Sequence, residues 1–255
     1  MDSAPEQPKL DDIILFSVGI GRSFQEATEA IQHAKTAGRR TEPFNIKVYS
    51  GDPIQDQPPA ASNAPNFLVV RRYLQANGAG QEVLKALGEL GTDPKTGLLN
   101  KLGYETSRME LSELGRRSGY YILLDGNDMH GHNAEKGYTG VDLYLEAAGH
   151  AIKAILHETR SGLDRRQHST DGVQDEKRKR IRRFSTAQQE DIFAHVLGHR
   201  VNDSAGDEFL LFIPDQITEA GETIQLEPRD IYTITRRVLR SVYSQERRVG
   251  DTHEQ

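Results

Sequence analysis

The sequence predicts an α/β fold of the α+β kind, a central and mostly antiparallel sheet flanked by helices. Three observations carry this reading. Short apolar runs that end in glycine or aspartate, Ile13–Gly21 and Tyr120–Asp125, have the length of buried strands. Amphipathic stretches, "SFQEATEAIQHAKTAG" and "YTGVDLYLEAAGHAIKAILHE", lie between such runs. Two further apolar runs, "FAHVLGHRV" and "EFLLFIP", are joined by the polar "NDSAGD", which reads as a hairpin. Elements that alternate in this way pack as layers, with antiparallel pairing in the sheet.

Taken in order, "IILFSVGIG" is the first strand. Ser23 then caps a helix, with Glu26 three positions on completing a capping box. Phe24, Ala27, Ile31 and Ala34 recur at helical spacing, and Gly38 stops the helix. "FNIKVYS" alternates as a strand. Residues 51–65 hold four prolines without apolar period and read as a linker. "NFLVVRRYLQ" and "GQEVLKALGELG" are helical, broken around Asn77–Gly80. A turn at Asp93-Pro94 opens the next helix, "GYYILLDGND" is a buried strand, and a long helix follows. Residues 159–191 are charged and irregular, and include the basic run "EKRKRIRR". That run reads as a solvated insertion. "DIYTITRRVLRSVYSQ" is the closing helix, and residues 248–255 are a tail.

Composition narrows the function. The chain has 255 residues and a net charge of −6, so nucleic acid is not its expected partner. With no cysteine, it has no disulfide, thiolate metal site or cysteine nucleophile. The polar, acidic start does not read as a signal peptide, and no apolar run reaches the roughly 20 residues of a membrane span. The expected location is the cytoplasm.

Acidic residues mark two strand ends. Asp125 follows "YYILL", and Asp207 and Glu208 precede "FLLF". Carboxylates held rigidly at neighbouring strand ends suit Mg²⁺, a hard cation that shares its shell with substrate phosphates. Acids at strand ends also solvate turns, and the pattern alone does not separate the two readings.

Four segments resemble a known family. "DPKTGLLNK" (Asp93 to Lys101) resembles the D-x-L-T-G-L-x-N-R motif of GGDEF domains, the diguanylate cyclases. "LLDGND" is similar to their metal-binding L-D-x-D. "HNAEKGYTGVDLYL" resembles N-D-x-x-G-H-x-x-G-D-x-x-L, and "SAGDEF" the name-giving signature. The family continues with a strand, a helix ending A-K-x-x-G-R-N and a last strand. Here those parts resemble segments at the front: "FSVGIG", "EATEAIQHAKTAGRR" and "FNIKVYS". The resemblance therefore implies a circularly permuted GGDEF domain with the family's palm-like fold. Residues 1–50 would be the displaced C-terminal part, 66–92 connecting helices, and 93–247 the remainder. A permuted chain would place Ile13–Gly21 in one sheet with Tyr120–Leu124, and aim Lys35 and Arg39 at Asp125.

The resemblance implies condensation of two GTP into cyclic di-GMP and pyrophosphate across a homodimer, with Mg²⁺ or Mn²⁺ as cofactor. Asp125, Asp207 and Glu208 would be metal ligands, with Asp207 and Glu208 catalytic. Asn133 and Asp142 would read the guanine edge. Lys35, Arg39, Gly126, Asn127, His130 and Gly206 would lie at the phosphates. Arg200 and Asp203 fit the R-x-x-D of a product-inhibition site for cyclic di-GMP, although strand and turn residues are the plainer reading.

The chain also departs from the family pattern. His130 stands at a usual lysine, Asn127 at the second aspartate of L-D-x-D, Ala134 after Asn133, and Ala205 at the first glycine. Arg200 precedes the signature by a longer turn than usual. These departures keep two alternatives open: a degenerate domain that binds nucleotide and signals, or a related nucleotidyl transferase with another product.

Overall fold

Five strands form one mixed sheet in a computed structural model, which describes residues 14–36, 44–54, 63–157, 197–201, 207–219 and 222–253. In chain order the elements are β1 (Phe16–Gly21), α1 (Phe24–Thr36), β2 (Phe44–Val48), α2 (Ala64–Ala76) and α3 (Gln81–Leu90). Then come α4 (Lys101–Glu113), β3 (Gly119–Gly126), α5 (Met129–His157), β4 (Leu197–Arg200) and β5 (Glu208–Pro214). The last are β6 (Gln216–Glu219), β7 (Glu222–Gln225) and α6 (Pro228–His253).

The sheet order is β2-β1-β3-β5-β4. β1 and β2 are parallel, and α1 is the crossover such a pair requires. The other three neighbouring pairs are antiparallel. β1 thus lies beside β3, with Ser17 opposite Asp125.

Alternation along the strands builds two unlike faces. Phe16, Val18, Ile20, Ile122, Leu124, Phe209, Leu211 and Ile213 join one core with the apolar sides of α5 and α6. The intervening positions Leu123 and Leu210 face Ala27 and Ile31 of α1, with Tyr104 and Tyr121 against them. On β1 the intervening residues are Ser17, Gly19 and Gly21, which leave α1 room to approach. A Cβ at Gly19 would stand 2.0 Å from the carbonyl oxygen of Ala27.

The ends of α1 follow from its sequence. Ser23 Oγ accepts from the amide of Glu26. The buried Glu26 carboxylate accepts from the amides of Arg22 and Ile54, so the cap also ties down the chain beyond β2. The helix runs back along β1. Thirteen residues at 1.5 Å rise give about 20 Å, close to the length of a six-residue strand. Lys35 therefore returns to the level of Ser17, where β3 ends.

Several expectations need adjustment. The linker read over 51–65 overlaps α2, which begins at Ala64 with Pro65 in its first turn. α4 begins at Lys101, not at the Asp93-Pro94 turn, because Asn100 caps it through the amide of Gly103. The long helix α5 starts at Met129 and contains a break at Gly137, at φ 73° and ψ 164°. That positive φ is open to glycine and strained for other residues. The segment after β5 holds an unanticipated antiparallel hairpin, β6–β7, and α6 continues past Gln245 to His253. The charged segment 159–191 lies outside the described residues.

Candidate functional site

The carboxylates converge through strand register. Asp125 is the seventh residue of β3, on the face that carries Leu123 and α1. Directly across the ladder stands Glu208, the first residue of β5. Opposite residues in a sheet have Cβ atoms about 5 Å apart, so these two acids are neighbours by construction. Asp207 precedes Glu208, and its carbonyl accepts from the amide of Gly126 at 3.3 Å. Lys35 Nζ completes the group, 2.6 Å from Asp125 Oδ2.

The electrostatics follow from crowding like charges. Burial raises the Asp207 carboxyl above its ordinary range, and the charge of Asp125 adds to this. Lys35 and Arg200 act the other way on Asp207. Glu208 is raised by burial, then by Asp125 and Asp207, with Lys35 opposing. Three acids thus share one nearby lysine and have charge to spare for a cation.

The donor chemistry fits Mg²⁺, since all three groups are hard oxygen donors. Among the described residues, no three His, Cys, Asp or Glu side chains are already drawn together closely enough to hold a metal ion. Ligation would require movement of side chains, Lys35 included.

The loop after β3 is fastened to β1. The Asn127 amide and its Nδ2 both donate to the carbonyl of Leu15, at 2.8 and 2.6 Å. Ser17 Oγ donates to Asn127 Oδ1 at 2.8 Å. Asn127, expected at the phosphates, has both ends of its side-chain amide engaged in holding the strand end. Asp128 follows at φ 53°, and its carboxylate accepts from the amide of Gly131 in the first turn of α5. Gly126 is buried, and a Cβ there would meet Met129 Sδ at 2.9 Å. His130 is exposed in the same turn.

The two residues expected at guanine sit on either side of the Gly137 break. Asn133 precedes it and is half-buried. Asp142 follows it and pairs with Lys95 Nζ at 2.6 Å, a contact both of whose side chains are well exposed.

Arg200 is the last residue of β4, in keeping with the plainer reading of it as a strand residue. Its side chain is 2% exposed and its Nη1 lies 3.7 Å from Asp93 Oδ2, in the turn before α4. It is a buried ion-pair partner. Asp203, Gly206 and Arg39 lie outside the described residues.

The sequence reading missed Ser17 and Lys95. Ser17 had a signal, since it is the one hydroxyl inside "FSVGIG". Lys95 had none, because its partner lies 47 residues away.

No helix among the described residues is long and apolar enough to cross a membrane. No protein-family model matches the chain, and no curated protein matches it by sequence.

Proposed function

We propose that the chain is a circularly permuted diguanylate cyclase that joins two GTP into cyclic di-GMP. One observation carries the reading: Lys35, from the front of the chain, meets Asp125 at the end of β3, with Glu208 opposite. A displaced phosphate-binding segment is expected to point at the cleft beside Asp125.

In this reading Asp125, Asp207 and Glu208 hold Mg²⁺. The metal, when bound, would neutralise charge on the phosphates and acidify the attacking hydroxyl. Lys35 and Arg39 bind the triphosphate, the first as a point charge and the second as a planar fork. Asn133 and Asp142 take the guanine edge. The Asp142 carboxylate accepts from N1–H and N2–H once Lys95 releases it, and adenine lacks that donor pair. Glu208 receives the proton of the 3′-hydroxyl. The 3′-oxygen of each nucleotide forms a bond to the α-phosphorus of the other, and each bond to pyrophosphate breaks. Two copies of the chain, each holding one GTP, supply the two halves.

Incubating the purified chain with GTP and Mg²⁺, then separating the products, tests this. Cyclic di-GMP from the wild type and none from Asp207→Ala is the expected result. Absence of product at high protein concentration would sink the proposal.

A second reading, a nucleotide-binding module without turnover, is favoured by the lack of three converged metal-ligand side chains among the described residues. Calorimetry with a non-hydrolysable GTP analogue beside the turnover assay separates the two.

A further inference from the structure

Lys35 takes the place at Asp125 that a cation would take. The Asp125 side chain is 11% exposed and the Lys35 side chain 36%. The acid is therefore approached from the lysine's side, and the lysine is partly open to water. An ammonium on a four-carbon stem can turn away without moving the helix that carries it. The close packing of α1 on Gly19 keeps the base of that stem fixed.

We propose that Lys35 is a built-in counter-ion that competes with divalent metal for Asp125, so that metal and nucleotide bind as a coupled pair. The proposal rests on the nucleotide-binding reading above. An ammonium 2.6 Å from Asp125 Oδ2 repels a dication that approaches either oxygen of the carboxylate, so the two compete for its charge. While the lysine holds the acid, metal alone binds against its charge. A triphosphate offers the ammonium better acceptors, draws it off, and leaves Asp125 bare for the metal. Coupling of this kind is reciprocal, so the metal also tightens the nucleotide. The same side chain thus opposes the metal before the nucleotide arrives and binds phosphate afterwards.

Mn²⁺ is the probe, with the free ion followed by electron paramagnetic resonance, on the full chain with and without a non-hydrolysable GTP analogue. Lys35→Met removes the charge and keeps most of the stem, and Lys35→Gln does so with a polar end. Both variants should bind Mn²⁺ alone about tenfold more tightly than the wild type, the effect of removing one adjacent like charge. Both should lose most of the tightening that the analogue gives the wild type. Lys35→Arg should retain weak binding of Mn²⁺ alone. If the wild type binds Mn²⁺ with the analogue, yet neither neutral variant binds Mn²⁺ alone more tightly, the counter-ion proposal is overturned and the proposed function stands. If no form binds Mn²⁺ under either condition, both fall together.

Discussion

Arg200 and Asp93 face each other 3.7 Å apart with both side chains almost fully withdrawn from water. The pair joins β4 to the turn before α4. Asp93 also accepts from Thr96 Oγ1 at 2.5 Å, and the same turn bonds to β4 through the amide of Leu99. Removing Asp93 takes a close counter-charge away from a buried guanidinium. Asp93→Ala should therefore cost about 3–5 kcal/mol of stability. Urea unfolding checks this, and an Asp93→Leu/Arg200→Met double variant should lose less than Asp93→Ala.

The Lys95–Asp142 pair has the opposite expectation. It is exposed, so Lys95→Ala should change stability by less than about 0.5 kcal/mol. Thermal melts at low and high salt check this; a larger loss would mean the pair has a structural role.

Asp207 and Glu208 give the protein a signed pH response. Both carboxyls are raised by burial first and neighbouring acids next. A raised carboxyl binds its proton more tightly in the folded state than in the unfolded chain. Its ionisation therefore opposes folding, and the penalty grows as pH rises from the ordinary carboxylate range to the raised values and is constant above them. Asp207→Asn should raise the melting temperature at neutral pH by about 1–3 °C and leave it unchanged near pH ~3. Equal effects at both pH values would contradict the assignment.

Gly19 governs how closely α1 can lie. Gly19→Ala should destabilise by about 1–3 kcal/mol, since its Cβ would collide with backbone. The helix can yield only by lifting, which would also part Lys35 from Asp125. Urea unfolding, together with Mn²⁺ binding, reads both effects.

Ser17 secures the loop that follows the Asp125 strand. Ser17→Ala should cost about 1 kcal/mol by leaving Asn127 Oδ1 without its donor. Ser17→Thr keeps the hydroxyl and should recover part of that loss in the same unfolding assay.

What the sequence disclosed follows the range of the forces involved. β1, β3 and β5 announce themselves as short apolar runs, and the Ser23–Glu26 cap as a local spacing. The β6–β7 hairpin did not, because each strand offers a single isoleucine among polar residues, "QITE" and "ETIQ". The start of α4 lies beyond the Asp93-Pro94 turn that reads as its opening, because the cap is Asn100, whose side chain accepts from the amide of Gly103. At the candidate site, the strand ends bearing Asp125 and Glu208 were legible, and the resemblance directed attention to Lys35. The roles of Asn127 and Arg200 were not, since each depends on a partner about 100 residues away in the chain.

The break in α5 sets how Asn133 and Asp142 are oriented relative to one another. Asn133 and Asp142 are nine positions apart. In an unbroken helix, turning about 100° per residue, they would be half a turn out of phase and point to opposite sides. Gly137 interrupts that phase between them. Under the proposed function, the phase between these two residues is set by a glycine that need not touch the nucleotide, and a β-branched side chain at 137 would strain that backbone without replacing either side chain.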